Sequence, residues 1–294
     1  MNGIIVVDKS EGWTSHDVVN RMRRLAGTKK VGHLGTLDPI ATGVLPLVIG
    51  RATRLAQFYV RRDKTYESVI RFGTATDTYD RAGVPMAPQG PVPLLDAELL
   101  EPHLQRFRGK FLQTPPPVSA KKVGGRPAYE LARKNFAVEL APVEVQVYEL
   151  TLLGVEGSDI RVRAFCSAGT YLRGIAHDLG VAIGCGAHLA ELRRTDAGDF
   201  SLDQARTLDQ LQKLSEAVRL EEALIPAAHL LPEFPSEFVD DVTEGHIRQG
   251  RDFSVSPFRV QKGAHYVKAV SRAGELVAIG EIRLPNVYHP ILVL

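Results

Sequence analysis

Residues 63–73, Asp-Lys-Thr-Tyr-Glu-Ser-Val-Ile-Arg-Phe-Gly, set Tyr66, Ser68, Ile70 and Phe72 against Thr65, Glu67, Val69 and Arg71 in strict alternation. A period of two belongs to an extended strand, so the run predicts a strand with one buried face. A lone strand is not stable in water, and the feature commits the chain to a sheet. Further strands are expected at Gly3–Asp8, which ends in a Glu11-Gly12 turn, at 143–156 and 159–167, and near 187–195, and an apolar run, Val44–Ile49, precedes the helix expected near 51–60. Helical spacing appears between them. Thr14 or Ser15 caps a helix in which Val18, Val19, Met22 and Leu25 recur until Gly27 stops it. Helices are also expected near 51–60, 96–107, 127–135 and 170–183, the last with Tyr171, Ile175, Leu179 and Ala182 on one face. The class this implies is α+β, with a mainly antiparallel sheet.

Residues 74–140 change character, with a Thr/Asp/Gly/Pro-rich stretch and the run Thr114-Pro115-Pro116-Pro117, and read as an insertion bearing exposed basic side chains. Pro226–Pro235, with three prolines, reads as a linker. Beyond it, short β runs (Tyr266–Val270, Leu276–Ile279, Ile291–Leu294) between Gly turns suggest a small β-barrel-like module. The 294 residues therefore divide into 1–235 and 236–294. The only cysteines, Cys166 and Cys185, lie in no CxxC or Cys/His spacing, which argues against zinc ribbons and disulfide frameworks and suits a reducing compartment. The N-terminus has no basic leader, and nowhere do 18 apolar residues run together. A cytoplasmic protein without membrane contact is expected.

Residues 21–134 hold 20 Lys or Arg against 9 Asp or Glu, although the whole chain is only +2. Clusters at Arg21/Arg23/Arg24/Lys29/Lys30, Arg51/Arg54/Arg61/Arg62/Lys64 and Lys121/Lys122/Arg126/Arg133/Lys134 suit either a phosphate backbone or solvated faces balanced by acids nearby. Phosphate-loop, dinucleotide, zincin, serine-hydrolase and zinc-deaminase signatures are all missing. What remains is a loop built around one carboxylate. Asp38 precedes Pro39, which favours extended backbone, and lies between Gly35 and Gly43, which permit sharp bends. Such a loop either projects an acid into a cleft or forms a turn capped by that acid. Taken singly, His33, Tyr66, Tyr171, Arg173 and the pair Arg193-Arg194 are compatible with ordinary packing or solvation.

Taken together they form a pattern. Gly32-His33-Leu34-Gly35-Thr36-Leu37-Asp38-Pro39-Ile40-Ala41-Thr42-Gly43-Val44-Leu45-Pro46 resembles the catalytic loop of the TruB-type tRNA pseudouridine synthases. Lys64-Thr65-Tyr66, Gly169-Thr170-Tyr171-Leu172-Arg173 and His188-Leu189-Ala190-Glu191-Leu192-Arg193-Arg194-Thr195 match the remaining motifs in order. Pro115–Lys122 followed by Arg126–Arg133 is similar to the family's RNA-gripping insertion. The resemblance covers residues 1 to about 225, and the end of the chain resembles a PUA-like RNA-binding module more weakly.

The resemblance implies the pseudouridine synthase catalytic fold and an isomerisation of the tRNA T-loop uridine. The N1–C1′ bond breaks, the uracil turns and C5 bonds to C1′, with no cofactor or metal. It implies Asp38 as the essential carboxylate, acting on the sugar, the uracil or the C2′ proton, with Arg173 as its charged partner. Tyr66 would stack on the flipped base and is also a candidate for removing its C5 proton, and His33 would fill the space that base leaves. Lys64 would support the site electrostatically, while Tyr171 and Leu192 would line the pocket. Arg193, Lys121, Lys122, Arg126 and Arg133 would contact RNA. The expected partner is the T-arm and elbow of tRNA, bound by a monomer with no obligatory protein partner. Two alternatives are an RNA-folding protein for which catalysis is dispensable and a guide-RNA-dependent synthase.

Overall fold

The computed structural model describes residues 1–87, 90–118, 122–123, 126–127, 140–256 and 264–294. The first part of the chain forms β1 (Gly3–Lys9), α1 (Ser15–Leu25), β2 (Val31–His33), β3 (Thr42–Ile49), β4 (Lys64–Phe72), α2 (Ala97–Gln105), β5 (Gly109–Gln113), β6 (Lys122–Val123) and β7 (Arg126–Pro127). It continues through β8 (Val143–Glu156), β9 (Asp159–Cys166), α3 (Leu172–Ile183), β10 (Ala187–Ala197), β11 (Phe200–Ser201), α4 (Leu208–Glu216) and β12 (Ile225–Pro226). Then come β13 (Ser236–Val239), α5 (Asp241–Arg248), β14 (Phe253–Ser254), β15 (Tyr266–Ser271), β16 (Leu276–Leu284) and β17 (Val287–Val293).

The main sheet runs β12-β1-β3-β10-β4-β9-β8-β5, with β2 added to β3 and β11 to β10. Its pairings are antiparallel except where β10 meets β3 in parallel, at Arg193↔Thr42 and Arg194↔Gly43. β4 alternates as its sequence dictates: Tyr66, Ser68, Ile70 and Phe72 are buried, whereas Glu67 and Arg71 are exposed. β1 does not alternate, because the sheet is covered on both sides there. Ile5 and Val7 join the core beneath α1 and α3, and Ile4 and Val6 join a second apolar cluster on the other face. Continuous apolar sequence is what such two-sided burial requires.

Helix α1 starts where Thr14 accepts from the Asp17 amide and Asp17 reaches back to Thr14, a capping box. The expected helix near 51–60 is a 3₁₀ segment, Gly50–Phe58. Its buried residues, Ala52 and Leu55, are three apart, which suits three residues per turn. The expected helix near 127–135 lies outside the described residues apart from the strand at Arg126–Pro127.

The second sheet runs β13-β15-β16-β17-β14. Leu276, Ile279 and Leu292 from it, with Leu294 just beyond β17, share an apolar cluster with Ile4, Val6, Val48, Leu55 and Tyr59 of the first part. The proline-rich stretch between them is anchored to both sides. Leu231 donates its N–H to the Tyr59 hydroxyl at 2.8 Å, and the buried Lys268 ammonium donates to the carbonyls of Ala228 (3.0 Å) and Leu230 (2.9 Å).

Candidate active site

Three central strands converge on one point. The loop carrying Asp38 leads into β3, β3 pairs with β10, and β10 pairs with β4 so that Leu192 lies opposite Ser68 and Arg194 opposite Tyr66. Gly43 makes the first crossing possible: its φ is +100°, and a Cβ there would press into the Arg194 carbonyl. The loop is held on several sides. Ser15 Oγ donates to the Leu37 carbonyl (3.0 Å) and accepts from the Leu37 amide (2.8 Å), and Gly12 donates to the Pro39 carbonyl at 2.9 Å. The tight turn itself uses backbone only, Ala41 N–H to Asp38 C=O at 3.0 Å. The Asp38 carboxylate is thus left for the cleft.

That cleft has a volume of about 230 Å³ and is lined by Asp38, Lys64, Tyr66, Tyr171, Arg173, Leu192 and Arg194, among others. Arg173, 4% exposed, brings Nε to 2.9 Å from Asp38 Oδ2, off the line of its N–H, and Nη1 to 3.4 Å from Asp80 Oδ2. Its remaining donors reach the carbonyls of Thr78 (3.1 Å) and Val118 (3.0 Å). Asp80 is itself fixed, accepting from Thr78 Oγ1 (2.8 Å) and the Ala82 amide (3.0 Å), beside a Tyr79–His177 ring stack at 3.7 Å. Gln113 sets the start of α3. Its side chain donates to the Tyr171 carbonyl and accepts from the Tyr171 amide, both at 2.9 Å.

Asp38 lies deep in the protein, yet 34% of its side-chain surface opens into the cleft. Burial pushes its carboxyl above the usual carboxylate range; Arg173 pulls it back, Asp80 pushes it further up and Lys9 pulls it down. Burial raises the Tyr66 phenol, against the opposing charge of Arg194. Lys64 is lowered to about 8 by burial and then by Arg194, while it donates to the carbonyls of Val60 and Arg62. Lys9, also lowered to about 8 by burial, donates to Ser10 (3.0 Å), Trp13 (2.7 Å) and Pro39 (3.4 Å) carbonyls beneath the loop. Among the described residues no three His, Cys, Asp or Glu side chains gather as a metal site. No described helix is long and apolar enough to cross a membrane.

Six residues singled out by sequence meet here: Asp38, Lys64, Tyr66, Tyr171, Arg173 and Leu192. His33 stands beside the cleft, its Nδ1 accepting from the Gly35 amide at 3.3 Å. Arg193 does not line the cleft. It occupies the opposite sheet face, opposite Glu67, and forks onto Asp8 at 2.9 and 3.1 Å. Lys121 and Arg133 lie outside the described residues, and for Lys122 and Arg126 only their strands are described. Lys9, Asp80 and Gln113 escaped the sequence reading, and Arg194, noted there only as half of a basic pair, was given no part in the site. Strand parity held a signal for one of them, since Arg194 and Leu192 share a face whereas Arg193 does not.

The architecture is that of the pseudouridine synthases. It matches the solved structure of an H/ACA RNP bound to a substrate RNA containing 2′-deoxyuridine, with a TM-score of 0.70 and 25% identity over 99% of this chain and 84% of that one. An archaeal box H/ACA sRNP Nop10-Cbf5 complex matches with a TM-score of 0.69 and 25% identity, covering 99% and 86%. Residues 23–172 match the N-terminal domain of TruB family pseudouridylate synthases, and residues 173–232 match the tRNA pseudouridylate synthase B C-terminal domain. The chain is 66% identical, over 100% of both sequences, to tRNA pseudouridine synthase B of Solibacter usitatus. It is 40% identical to that of Stutzerimonas stutzeri, covering 96% of this chain and 92% of the other. This chain belongs to the TruB family of pseudouridylate synthases.

Proposed function

We propose that the Asp38 cleft is where this chain isomerises the T-loop uridine of tRNA. As a TruB family member the chain is a tRNA pseudouridine synthase acting at uridine 55, an isomerase. The observation that carries the residue assignment is the cleft itself, in which a carboxylate with an open edge, a guanidinium beside it and a buried phenol meet. The space suits a single nucleobase, so a uridine stacked in an RNA loop reaches Asp38 only after flipping out, at a cost of a few kcal/mol in stacking.

Asp38 is the reacting group. Arg173 holds it from one side and maintains its charge against desolvation, and Arg173 is itself held by Asp80, Thr78 and Val118. The N1–C1′ bond breaks, the uracil turns within the cleft between Tyr66 and Leu192, and C5 bonds to C1′. The C5 hydrogen leaves as a proton and N1 takes one up, so the exchange balances. Tyr66 stacks on the base, and Lys64 adds positive charge within the cleft lining. The basic side chains of the insertion hold the T-arm through its phosphates.

The test is an unmodified tRNA transcript incubated with the purified chain alone, followed by carbodiimide mapping of pseudouridine. A single product at position 55 is expected. The likeness to H/ACA particles favours one competing reading, a guide-RNA-dependent synthase. Product that appeared only on adding a guide RNA would replace the proposal with that reading. Tight RNA binding without product would leave an RNA-folding role.

A further inference from the structure

Arg194 is the largest fully buried side chain, 1% exposed, and among the described residues no carboxylate pairs with it. A guanidinium withdrawn from water is costly unless its donors are satisfied. Here they are satisfied by the loop that carries Asp38. Nη2 donates to the Gly35 carbonyl at 3.1 Å, Nη1 to Thr36 at 3.4 Å and Nε to Val44 at 2.7 Å. Gly35 and Thr36 precede Asp38 and Val44 follows it, so one planar fork ties both ends of the loop. Through its backbone, Arg194 pairs with Gly43 on β3 and with Tyr66 on β4. One residue therefore touches the loop of the reacting carboxylate and stands opposite the tyrosine of the base site.

We propose that Arg194 is a positioning residue that fixes the distance between Asp38 and Tyr66 by gripping the loop carbonyls on both sides of the carboxylate. The proposal rests on the reading that both residues act on one uridine. Lysine cannot replace it: an ammonium on a flexible stem keeps the charge but cannot span three carbonyls in one plane. A lost grip displaces Asp38 while leaving the outer RNA contacts in place. Its cost falls on the chemical step, where a misplacement of about 1 Å is worth about 100-fold.

The experiment measures three quantities for wild type, Arg194→Lys and Gly35→Ala: single-turnover tritium release from a T-arm stem-loop carrying [5-³H]uridine, the Kd for that RNA, and Tm. Gly35→Ala disturbs the same grip from the loop side, because Gly35 has φ +141°, a backbone conformation that L side chains rarely adopt, and its carbonyl is one of the three that Arg194 holds; a Cβ there would itself make only an ordinary contact with Nη1, at 3.6 Å. The expected result is a rate lowered about 100-fold in each variant with Kd unchanged. Should Arg194→Lys fail to fold, Gly35→Ala decides the matter. A wild-type rate in a folded variant overturns the proposal, and so does a fall in rate matched by a fall in affinity. Asp38→Asn is run alongside. Wild type that released no tritium would overturn the uridine reading itself, whereas active wild type with inactive Asp38→Asn and normal Arg194→Lys would overturn the positioning role alone.

Discussion

Arg173→Met removes the charge beside Asp38 while keeping much of the apolar stem. With N···O at 2.9 Å the two charge centres lie about 4 Å apart, and at an effective dielectric of about 20 their attraction is about 4 kcal/mol. The open edge of the carboxylate and the competing charge of Asp80 reduce that, toward the 1–3 pKa units typical of an Asp beside an Arg, at about 1.4 kcal/mol per unit. The sign is fixed: Arg173 lowers the Asp38 pKa, so its loss raises it. In the proposed reaction Asp38 acts ionised, so the rate should fall as pH drops through its pKa. In Arg173→Met the acid limb of the single-turnover tritium-release profile should therefore move up by about 1–3 units. Asp80→Asn should move the same limb down, because Asp80 raises the Asp38 pKa. The useful window ends below pH 8, since Lys9 and Lys64, each lowered to about 8, have lost about half their protons there. Equal loss at every pH, with the limb unmoved in both variants, would refute the electrostatic role of Arg173.

Three further outcomes are expected. Asp38→Asn should melt above wild type at neutral pH: the folded-state pKa of Asp38 is raised, so its ionisation withdraws stability as pH rises through that pKa. The difference, followed by calorimetry, should vanish below the usual carboxylate range. Tyr59→Phe deprives the buried Leu231 N–H of its acceptor and should cost about 1–3 kcal/mol, read from denaturant midpoints at constant m-value. Removal of residues 236–294 uncovers Ile4, Val6, Val48 and Leu55, and the shortened chain should associate or unfold on size exclusion rather than remain a folded monomer.

The relation between sequence and structure differs from element to element. The alternation of β4, the capping box of α1 and the isolation of Asp38 in its loop are local, and each was readable from a few neighbouring residues. Asp80 and Lys9 were not, because their importance arises where distant segments close over the loop. Asp80 sits in a Thr/Asp stretch that looks like any turn until β10 places it on Arg173. The Arg193-Arg194 pair shows how one position matters. The two residues point to opposite faces of β10, one onto Asp8 and the other beneath Asp38, and the β10 bulge between Leu189 and Glu191 keeps Leu192 and Arg194 on the Tyr66 side. The run Pro226–Pro235 has the composition of a linker, yet Leu230 and Leu231 are buried in a cluster contributed by both parts of the chain. Composition reports turn propensity, whereas burial depends on what the chain folds against.

The proposed isomerisation at Asp38 needs nothing beyond the protein and its RNA. The most direct test is tritium release from a [5-³H]uridine T-arm stem-loop by wild type and Asp38→Asn, with no cofactor, guide RNA or second protein added. The reaction conserves mass but must expel the hydrogen at C5. Release by wild type and none by Asp38→Asn is the predicted result. Release by both would remove Asp38 from the chemistry, and release by neither, with the RNA still bound, would rule out unaided isomerisation of this uridine.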